Sequence, residues 1–425
     1  MIEIQPIHNP PNVEIEVPGS KSYTNRALLV AALAHGDSIL TGALFSDDTY
    51  YMCDALRKLG VHIIEDSEQA TFHVTGNGGN IPVQEAKLYV GNSGTTTRSI
   101  ISYISLGHGE FVIDGDEPMR QGRPISDLLD ALQQLGVSAH TQYENGYLPV
   151  IIKANGLEGG KTTLDTSKSS QFLTSLMLSA PYAKKDMDIE VVGHLKTPYI
   201  DITIAVMEAF GAQIINKDYQ HFHIPGRQQY QPCSYHIEPD ASSASYFFAA
   251  AAITGGCVTV KHLSTDSAQG DIQFVDVLEK MGCLVSVSDR GITVKGPDQL
   301  KSIDVDMKDI SDTALTLAAI APFADSKVCI RNIEHTRWQE TDRIHAMVTE
   351  LRKLGVSVDE HQDGLDITPS PITPAAIDTY SDHRVAMAFS LIGLKVPGIR
   401  INDPECVSKT FPNYFEVLQS LYSQF

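Results

Sequence analysis

The sequence predicts an α/β protein of two domains, in which a unit of helices and short strands is repeated six times. The first observation behind this prediction is a helical segment that ends in a glycine and leads into a short strand, as in residues 55–61. Its glycines stand at positions 60, 136, 211, 282 and 355, at intervals of 71 to 76 residues, and residues 415–421 form a sixth copy. Glycine is favoured there because the residue after a helix often takes the left-handed conformation.

The second observation is a polar cluster followed by a small, almost wholly apolar helix. The clusters occupy residues 20–26, 91–98, 167–171, 240–243, 310–313 and 380–384, with a period of 70 to 75 residues. A helix that is apolar on nearly every face, as residues 27–33 are, must be buried. Strand patterns such as residues 111–114 and 258–261 lie between the helices.

Two independent patterns with one period indicate a repeat rather than chance similarity. Six copies suggest two domains of three repeats, each with sheets around an inner layer of helices. A linear solenoid is the alternative, although solenoid repeats are usually about 20–50 residues long.

Composition excludes several classes of function. The 425 residues include 32 Lys and Arg against 52 Asp and Glu, a formal charge of −20, so neither nucleic acid nor an anionic membrane is an expected partner. The start of the chain lacks the features of a signal peptide, and apolar runs such as residues 246–253 are too short to span a bilayer. Six scattered cysteines and no metal-ligand motif favour a cytoplasmic protein with no metal and no cofactor. We expect it to be a monomer.

The polar clusters lie where the buried helices begin, and two interpretations of them are open. Every helix start has four backbone N–H groups without intrahelical partners, so Ser, Thr, Asp and Asn can serve there simply as caps. Several clusters contain more than a cap requires, because the first has Lys21 and Arg26, the second has Gly94, and the sixth has His383 and Arg384. Glycine allows a ligand to approach the backbone, and helix starts attract anions. The clusters therefore predict a cleft for small, multiply anionic ligands.

Loop segments add further candidate cations, among them Arg123, Arg343 and Lys409. Each alone is more often a solvated surface charge. Glu340, close to Arg343 in sequence, can also form a structural ion pair with it.

Specific motifs among these residues give the chain a resemblance to a known family. The motifs are Pro18-Gly19-Ser20-Lys21-Ser22, Gly91-Asn92-Ser93-Gly94-Thr95, Arg123-Pro124, Ser169-Ser170-Gln171, Pro198-Tyr199-Ile200-Asp201, Glu340-Thr341-Asp342-Arg343, Asp382-His383-Arg384 and Lys409-Thr410-Phe411-Pro412. Nearly from end to end, the chain resembles the 5-enolpyruvylshikimate-3-phosphate synthases, the carboxyvinyltransferases of the shikimate pathway. The resemblance implies a two-domain inside-out α/β barrel of six βαβαββ repeats, the enolpyruvyl transferase fold. It also implies a discontinuous domain (1–18 plus 240–425), an inserted domain (19–239) and an active site in the cleft between them.

The same resemblance implies transfer of the carboxyvinyl group of phosphoenolpyruvate to the 5-hydroxyl of shikimate 3-phosphate, with release of phosphate. The residues expected at phosphoenolpyruvate are Lys21, Gly94, Arg123, Gln171, Arg343, Arg384 and Lys409. Those expected at shikimate 3-phosphate are Lys21, Ser22, Arg26, Ser169, Ser170, Gln171, Lys196, Tyr199, Asp312, His335 and Gln339. Addition and elimination need a base near the hydroxyl, an acid near C3 and cations near the developing charge. The expected catalytic residues are Lys21, Asp312, Glu340, His383 and Lys409.

Four positions depart from the common bacterial pattern of this family. Lys196 stands where a serine often contacts the substrate phosphate, and on the same substrate's side Gln339 replaces a lysine and His335 an asparagine. One hypothesis is that the cation has moved from position 339 to Lys196, and the alternative is that Lys196 points to solvent. Ser99 stands where the family usually has a proline that stiffens the helix carrying Gly94. This last change predicts reduced sensitivity to glyphosate.

Three other functions fit part of the pattern. The UDP-N-acetylglucosamine carboxyvinyltransferases share the fold and the chemistry, but they typically have a cysteine acid near the Arg-Pro pair, and residues 117–124 contain no cysteine. A non-catalytic homologue that binds phosphorylated metabolites is compatible with the changes at 196, 335 and 339. A repeat scaffold for protein partners fits the period but not the charged helix starts.

Overall fold

The computed structural model describes residues 1–422. Contacts between Cα atoms divide the chain into two compact units. We call Gly19–Ile237 the inserted unit, and Met1–Pro18 with Glu238–Phe425 the discontinuous unit.

Helices and short strands alternate along the chain. The α-helices are α1 (Lys21–Leu33), α2 (Asp47–Lys58), α3 (Gly94–Ile104), α4 (Glu117–Gln121), α5 (Ser126–Gln134), α6 (Gln171–Ser179), α7 (Thr197–Ala209), α8 (Ala241–Thr254), α9 (Phe274–Lys280), α10 (Ala314–Ile320), α11 (Arg343–Lys353), α12 (His383–Gly393) and α13 (Tyr414–Gln419). Short 3-10 helices cover Ala180–Tyr182, Gly270–Gln273, Ser311–Thr313, Ala321–Phe323, Glu334–Trp338, Pro404–Lys409 and Ser420–Tyr422.

The strands form six small sheets within the described residues. They are β1 (Ile2–Glu3), β2 (Asn12–Ile15), β3 (His35–Thr41), β4 (His62–Asp66), β5 (Thr71–Asn77), β6 (Glu85–Tyr89), β7 (His108–Asp114), β8 (Ser138–Thr141), β9 (Val150–Asn155), β10 (Gly160–Asp165), β11 (Met187–Val192), β12 (Ile215–Lys217), β13 (His221–Ile224), β14 (Ser234–His236), β15 (Cys257–Lys261), β16 (Leu284–Ser288), β17 (Gly291–Lys295), β18 (Asp304–Asp306), β19 (Val328–Arg331), β20 (Ser357–His361), β21 (Gly364–Thr368), β22 (Ala376–Ile377) and β23 (Arg400–Ile401).

Five of these sheets share one strand order, which is the signature of the repeat. In the sheet β6-β7-β9-β8, β6 and β7 are parallel, and β7, β9 and β8 are antiparallel neighbours. The buried helix α3 connects the parallel pair, and α5 leads into the hairpin. The other four orders are β14-β3-β5-β4, β10-β11-β13-β12, β2-β15-β17-β16 and β18-β19-β21-β20. The predicted βαβαββ repeat is therefore confirmed.

The sixth sheet differs from the other five. Its sheet has the order β1-β23-β22, and β1, from the start of the chain, pairs antiparallel with β23. The helix predicted over residues 415–421 is present as α13 and the 3-10 turn after it.

Two strands join sheets whose other strands are distant in sequence, and this explains the discontinuous unit. β2 pairs in parallel with β15, and β14 pairs in parallel with β3. The chain thus leaves the discontinuous unit after β2 and returns to it after β14.

The inner helices are buried on nearly every face, as their apolar composition predicts. Every residue of α3 is buried, and in α8 every residue except Thr254 is buried. The glycines at the ends of the outer helices all have positive φ, with values of 95° at Gly60, 85° at Gly136, 85° at Gly211, 100° at Gly282 and 80° at Gly355. The predicted left-handed helix ends are confirmed. Within residues 1–422, no helix is both long and apolar enough to cross a membrane.

Candidate functional site

The predicted site residues fall into two sets, one in each unit, and each set is described separately. In the inserted unit they lie at the starts of α1, α3, α6 and α7 and on the loop before α5, and we call them the inserted group. The group contains Lys21, Ser22, Arg26, Gly94, Arg123, Ser169, Ser170, Gln171, Lys196 and Tyr199.

Arg26, in the second turn of α1, is buried and links three helices. Its Nε donates to Thr203 Oγ1 at 2.9 Å, and its Nη2 donates to Thr174 Oγ1 at 3.3 Å. Nη2 also donates to the carbonyl oxygen of Tyr199 at 3.2 Å, and Nη1 to that of Ser22 at 2.9 Å. Burial lowers the pKa of Arg26 to about 10. The side chain therefore has a structural role, and its contact with a ligand stays a prediction.

Gly94 opens α3 between two guanidinium groups. A Cβ atom at this position would stand 2.2 Å from Arg98 Nη1 and 2.4 Å from Arg123 Nη2. Arg123 is buried, and its Nη1 donates to the backbone and side-chain oxygens of Asn92 at 3.1 and 3.2 Å. Arg98 lies over the ring of Phe172, 5.5 Å from its centroid. Because residue 94 has no side chain, two cations approach the start of this helix together.

Gln171, at the start of α6, presents a polar atom that the protein leaves unsatisfied. Its Nε2 donates to Thr95 Oγ1 at 3.2 Å, and its backbone N–H donates to Ser169 Oγ at 3.2 Å. Its Oε1 is buried and has no hydrogen-bond partner in the part of the chain that the structure describes. Buried polar atoms are usually bonded, so this oxygen is a candidate acceptor for a ligand hydroxyl group.

Two lysines of the inserted group lie beside other side chains rather than extending fully into solvent. Lys21 Nζ is 3.7 Å from Asp48 Oδ2. Lys196, which precedes α7, places its Nζ 5.9 Å from the centroid of the Tyr199 ring, within the range of a cation–π contact. Lys196 is thus next to another residue of the predicted shikimate 3-phosphate set.

Arg343 is the centre of a buried charge cluster in the discontinuous unit. Its side chain is 2% exposed, and it donates to Asp382 through Nε at 2.8 Å and Nη2 at 3.2 Å. Nη2 also donates to Glu340 at 2.9 Å, and Nη1 donates to Asp312 at 3.2 Å and to Gln339 Oε1. Burial alone would lower the pKa of Arg343, but the three carboxylates raise it above its usual value.

Arg384, at the start of α12, is the second buried cation. Its Nη2 donates to Asp312 Oδ2 at 2.7 Å, and its Nη1 donates to the hydroxyl of Tyr246 at 3.4 Å. Although burial would lower the pKa of Arg384, the charge of Asp312 raises it well above its usual value. Asp312 therefore bridges Arg343 and Arg384, and guanidinium forks of this kind match a planar carboxylate.

Glu340 joins a third cation to the cluster. Its Oε1 lies 3.0 Å from Lys409 Nζ, and both side chains are at most 10% exposed. The charge cluster thus consists of three cations and three carboxylates, which are Arg343, Arg384, Lys409, Asp312, Glu340 and Asp382. Such an array can stabilise charge that develops on a reacting oxygen and can move a proton through a carboxylate.

The predicted histidines lie at the edges of this cluster. His383 is buried, with its Nδ1 3.6 Å from Asp382 Oδ1. His335 Nε2 lies 2.8 Å from Ser311 Oγ, one residue before Asp312.

Sequence reasoning assigned no role to three residues that the structure places beside the predicted ones. Asp382, the N-cap of α12, accepts hydrogen bonds from Arg343, and Arg98 lies one turn after Gly94 on the same helix face. The available signal was that Asp382 stands in one of the quoted motifs and Arg98 at the end of the second polar cluster. Asp271 is buried, accepts a hydrogen bond from Ser242, and has its pKa raised to about 7 by burial and by the charge of Asp312. No local pattern marks Asp271.

Two other arginines, close in sequence to Arg123 and Arg343, have structural partners. Arg120 is exposed and pairs with Asp114, with its Nε donating at 2.8 Å. Arg337 pairs with Asp342 at 2.8 Å and with Glu360 at 3.0 Å. Structural pairing therefore accounts for both of these residues.

Comparison with known proteins identifies relatives over nearly the whole chain. The sequence profile of the family described as EPSP synthase (3-phosphoshikimate 1-carboxyvinyltransferase) matches residues 7–418. The chain is 52% identical over 415 residues to the 3-phosphoshikimate 1-carboxyvinyltransferase of Nostoc punctiforme, covering 97% of each chain. It is 47% identical over 414 residues to the protein of the same name from a Sulfurovum species, covering 96% of each.

Solved structures give the same result for the fold. An EPSP synthase from Acinetobacter baumannii superposes with a TM-score of 0.83 at 26% sequence identity, covering 99% of this chain and 97% of that one. The predicted enolpyruvyl transferase fold is therefore confirmed.

Proposed function

Because the chain belongs to the EPSP synthase family, it is a 3-phosphoshikimate 1-carboxyvinyltransferase, and we propose that the inserted group and the charge cluster hold its two substrates. The UDP-N-acetylglucosamine reaction and a non-catalytic role are not favoured, because the matching family and relatives carry the shikimate-pathway activity in their names.

The observation that supports the proposal best is the pair of buried guanidinium groups, Arg343 and Arg384, that share the carboxylate of Asp312. Phosphoenolpyruvate carries a planar carboxylate of the same kind, so it can take the place of Asp312 on one or both forks. Asp312, once displaced, is a carboxylate available to act as a base. The residues proposed for phosphoenolpyruvate are Lys21, Gly94, Arg123, Gln171, Arg343, Arg384 and Lys409.

For shikimate 3-phosphate, the supporting features are the polar starts of α1, α6 and α7. Gln171 Oε1 supplies a buried acceptor, and Lys196 with Tyr199 supplies a cation beside an aromatic hydroxyl. The residues proposed for this substrate are Lys21, Ser22, Arg26, Ser169, Ser170, Gln171, Lys196, Tyr199, Asp312, His335 and Gln339.

The proposed reaction is an addition followed by an elimination. Asp312, with Lys21, removes the proton from the 5-hydroxyl, whose oxygen attacks C2 of phosphoenolpyruvate while Glu340 delivers a proton to C3. Glu340, now without that proton, takes a proton from C3 while the bond between C2 and the phosphate oxygen breaks, so the double bond is restored and phosphate leaves. Lys409 and His383 support these steps beside Glu340 and Asp382, and the nearby cations stabilise the developing negative charge.

The activity is tested by phosphate release with both substrates and with each one alone. We expect release only when both are present, and no release with both would contradict the function.

The residue assignment is tested by Arg384→Lys, which keeps the charge but loses the fork. We expect its kcat/KM for phosphoenolpyruvate to fall about 10- to 150-fold, the effect of losing one charge-assisted hydrogen bond. An equal rise in KM for both substrates would contradict the assignment.

We also propose that the enzyme acts as a monomer in the cytoplasm. The scattered cysteines, all of them free thiols, support a reducing compartment. Light scattering of the purified protein tests the oligomeric state, and a dimer would refute this part.

A further inference from the structure

The turn that leads into α12 has an unusual backbone for its sequence. Tyr380 and Ser381 have φ values of 55° and 52°, so two successive residues with side chains are in the left-handed region. Asp382 N donates to the carbonyl oxygen of Thr379 at 2.8 Å and closes the turn. Left-handed conformations are unfavourable for L-residues other than glycine, so other contacts must hold this turn.

Those contacts come from Glu350, which is fully buried in α11. Its Oε1 accepts a hydrogen bond from the Tyr380 hydroxyl at 2.7 Å, and its Oε2 accepts one from the backbone N–H of Asp378 at 3.1 Å. Lys353 Nζ donates to both oxygens of Glu350, at 2.9 and 2.7 Å, and to Asp378 Oδ2 at 2.7 Å. The buried carboxylate of Glu350 therefore bonds to the residue that precedes Thr379 and to Tyr380, the first of the two left-handed residues.

The turn at residues 379–382 also positions the centre of the charge cluster. Asp382 Oδ1 accepts hydrogen bonds from the backbone N–H of Arg384 at 2.9 Å and from Arg343 Nη2 at 3.2 Å. Arg343 begins α11, the helix that also carries Glu350. Arg343, at the start of α11, thus bonds to Asp382 at the end of the turn. Glu350, further along the same helix, bonds to Asp378, just before the turn.

We propose that Glu350 is a positioning residue for the reaction and that it acts through Tyr380. It keeps residues 379–382 in the left-handed turn and so fixes Asp382 and Arg384 relative to Arg343. The inference rests on the proposed function, because it takes Arg343 and Arg384 as the residues that bind phosphoenolpyruvate. The hydrogen bonds of the Glu350 carboxylate within residues 1–422 go to Lys353, Asp378 and Tyr380, none of which is proposed to contact substrate.

Tyr380→Phe is the main test, because it removes only the hydroxyl group and leaves the buried Glu350–Lys353 pair in place. We expect KM for phosphoenolpyruvate to rise at least fivefold and KM for shikimate 3-phosphate to change less than twofold. Glu350→Gln should act in the same direction. Ser381→Gly in the Tyr380→Phe background should recover at least half of the loss, because glycine adopts positive φ without the bond to Glu350.

Tyr219→Phe is the matched control, because the Tyr219 hydroxyl also donates to a carboxylate at 2.7 Å, that of Asp201 in the inserted unit. It should leave KM for phosphoenolpyruvate unchanged. A Tyr380→Phe enzyme with a lower melting temperature but wild-type kinetics would overturn the inference, since Glu350 would then be structural only.

Arg384→Lys in the same assays separates the assignment of Arg384 to phosphoenolpyruvate from the positioning role of Glu350. If it leaves KM for phosphoenolpyruvate unchanged, the assignment of Arg384 fails and this inference fails with it; if only Tyr380→Phe has no effect, the inference alone is wrong.

Discussion

Replacing Gly94 with alanine should displace two arginines at the start of α3. The added Cβ would stand 2.2 Å from Arg98 Nη1 and 2.4 Å from Arg123 Nη2, where ordinary contact is 3.4–4 Å. Each guanidinium would have to move by about 1 Å. Such a movement of Arg123 would lengthen or break the bonds of its Nη1 to two oxygens of Asn92, which are now 3.1 and 3.2 Å long.

The magnitude follows from the loss of one charge-assisted hydrogen bond to phosphoenolpyruvate. Such a bond contributes about 1.5–3 kcal/mol, and about 1.4 kcal/mol corresponds to a factor of ten in binding. We therefore expect KM for phosphoenolpyruvate to rise roughly 10- to 150-fold. KM for shikimate 3-phosphate should change less than about twofold.

Steady-state phosphate release, with each substrate varied in turn, measures both constants. Gly122→Ala is the matched control, because Gly122 ends the short helix just before Arg123 and its added Cβ would meet only Pro118 O, at 3.3 Å. An unchanged KM for phosphoenolpyruvate in a folded Gly94→Ala enzyme would refute the reasoning, since the displacement of Arg123 would then have no effect on binding of this substrate.

Three further predictions concern residues in or near the inserted group and the charge cluster. Lys196→Ala should raise KM for shikimate 3-phosphate far more than KM for phosphoenolpyruvate, if Lys196 supplies the cation that is missing at position 339. Ser99→Pro should lower the inhibition constant for glyphosate, because the fixed φ and the missing N–H of proline change the shape of the helix that carries Gly94. Asp271→Asn should change how stability depends on pH. Burial and the charge of Asp312 raise the pKa of Asp271 to about 7, so the folded chain keeps this proton to a higher pH than the unfolded chain does, and wild-type stability falls as pH rises from about 4 to 7. The neutral variant should lack this loss.

Each of these has a clear contrary result. Equal effects of Lys196→Ala on both substrates would show that the lysine does not serve one substrate alone. An unchanged glyphosate constant in Ser99→Pro would remove the proposed role of residue 99. The same pH dependence of stability in wild-type and Asp271→Asn, measured by denaturation at pH 4, 6 and 8, would mean that folding does not raise the pKa of Asp271.

Features that depend on local chemistry could be predicted from the sequence. The left-handed helix ends at Gly60 and Gly355 follow from glycine after an outer helix, and the burial of α3 and α8 follows from their apolar faces. The six repeats were visible because both patterns recur with one period.

Features that depend on contacts distant in sequence could not be predicted in the same way. The pairing of β2 with β15 joins segments more than 200 residues apart, and no local pattern specifies it. Arg343 bonds to Asp382, which is 39 residues away in sequence. The arginine could therefore be predicted as a site residue, but its main partner could not. The left-handed turn at Tyr380 and Ser381 contains no glycine, and the contacts that hold it, among them the bond from Tyr380 to the buried Glu350, come from a different helix.

The central claim is that the buried arginines of the charge cluster hold phosphoenolpyruvate, and a structure determined with both substrates or an unreactive analogue tests it most directly. The account predicts that guanidinium nitrogens of Arg343 and Arg384 lie within about 3.2 Å of the phosphoenolpyruvate carboxylate and that Asp312 has released at least one of them. A complex in which both arginines keep their present bonds to Asp312 and contact no atom of phosphoenolpyruvate would contradict it.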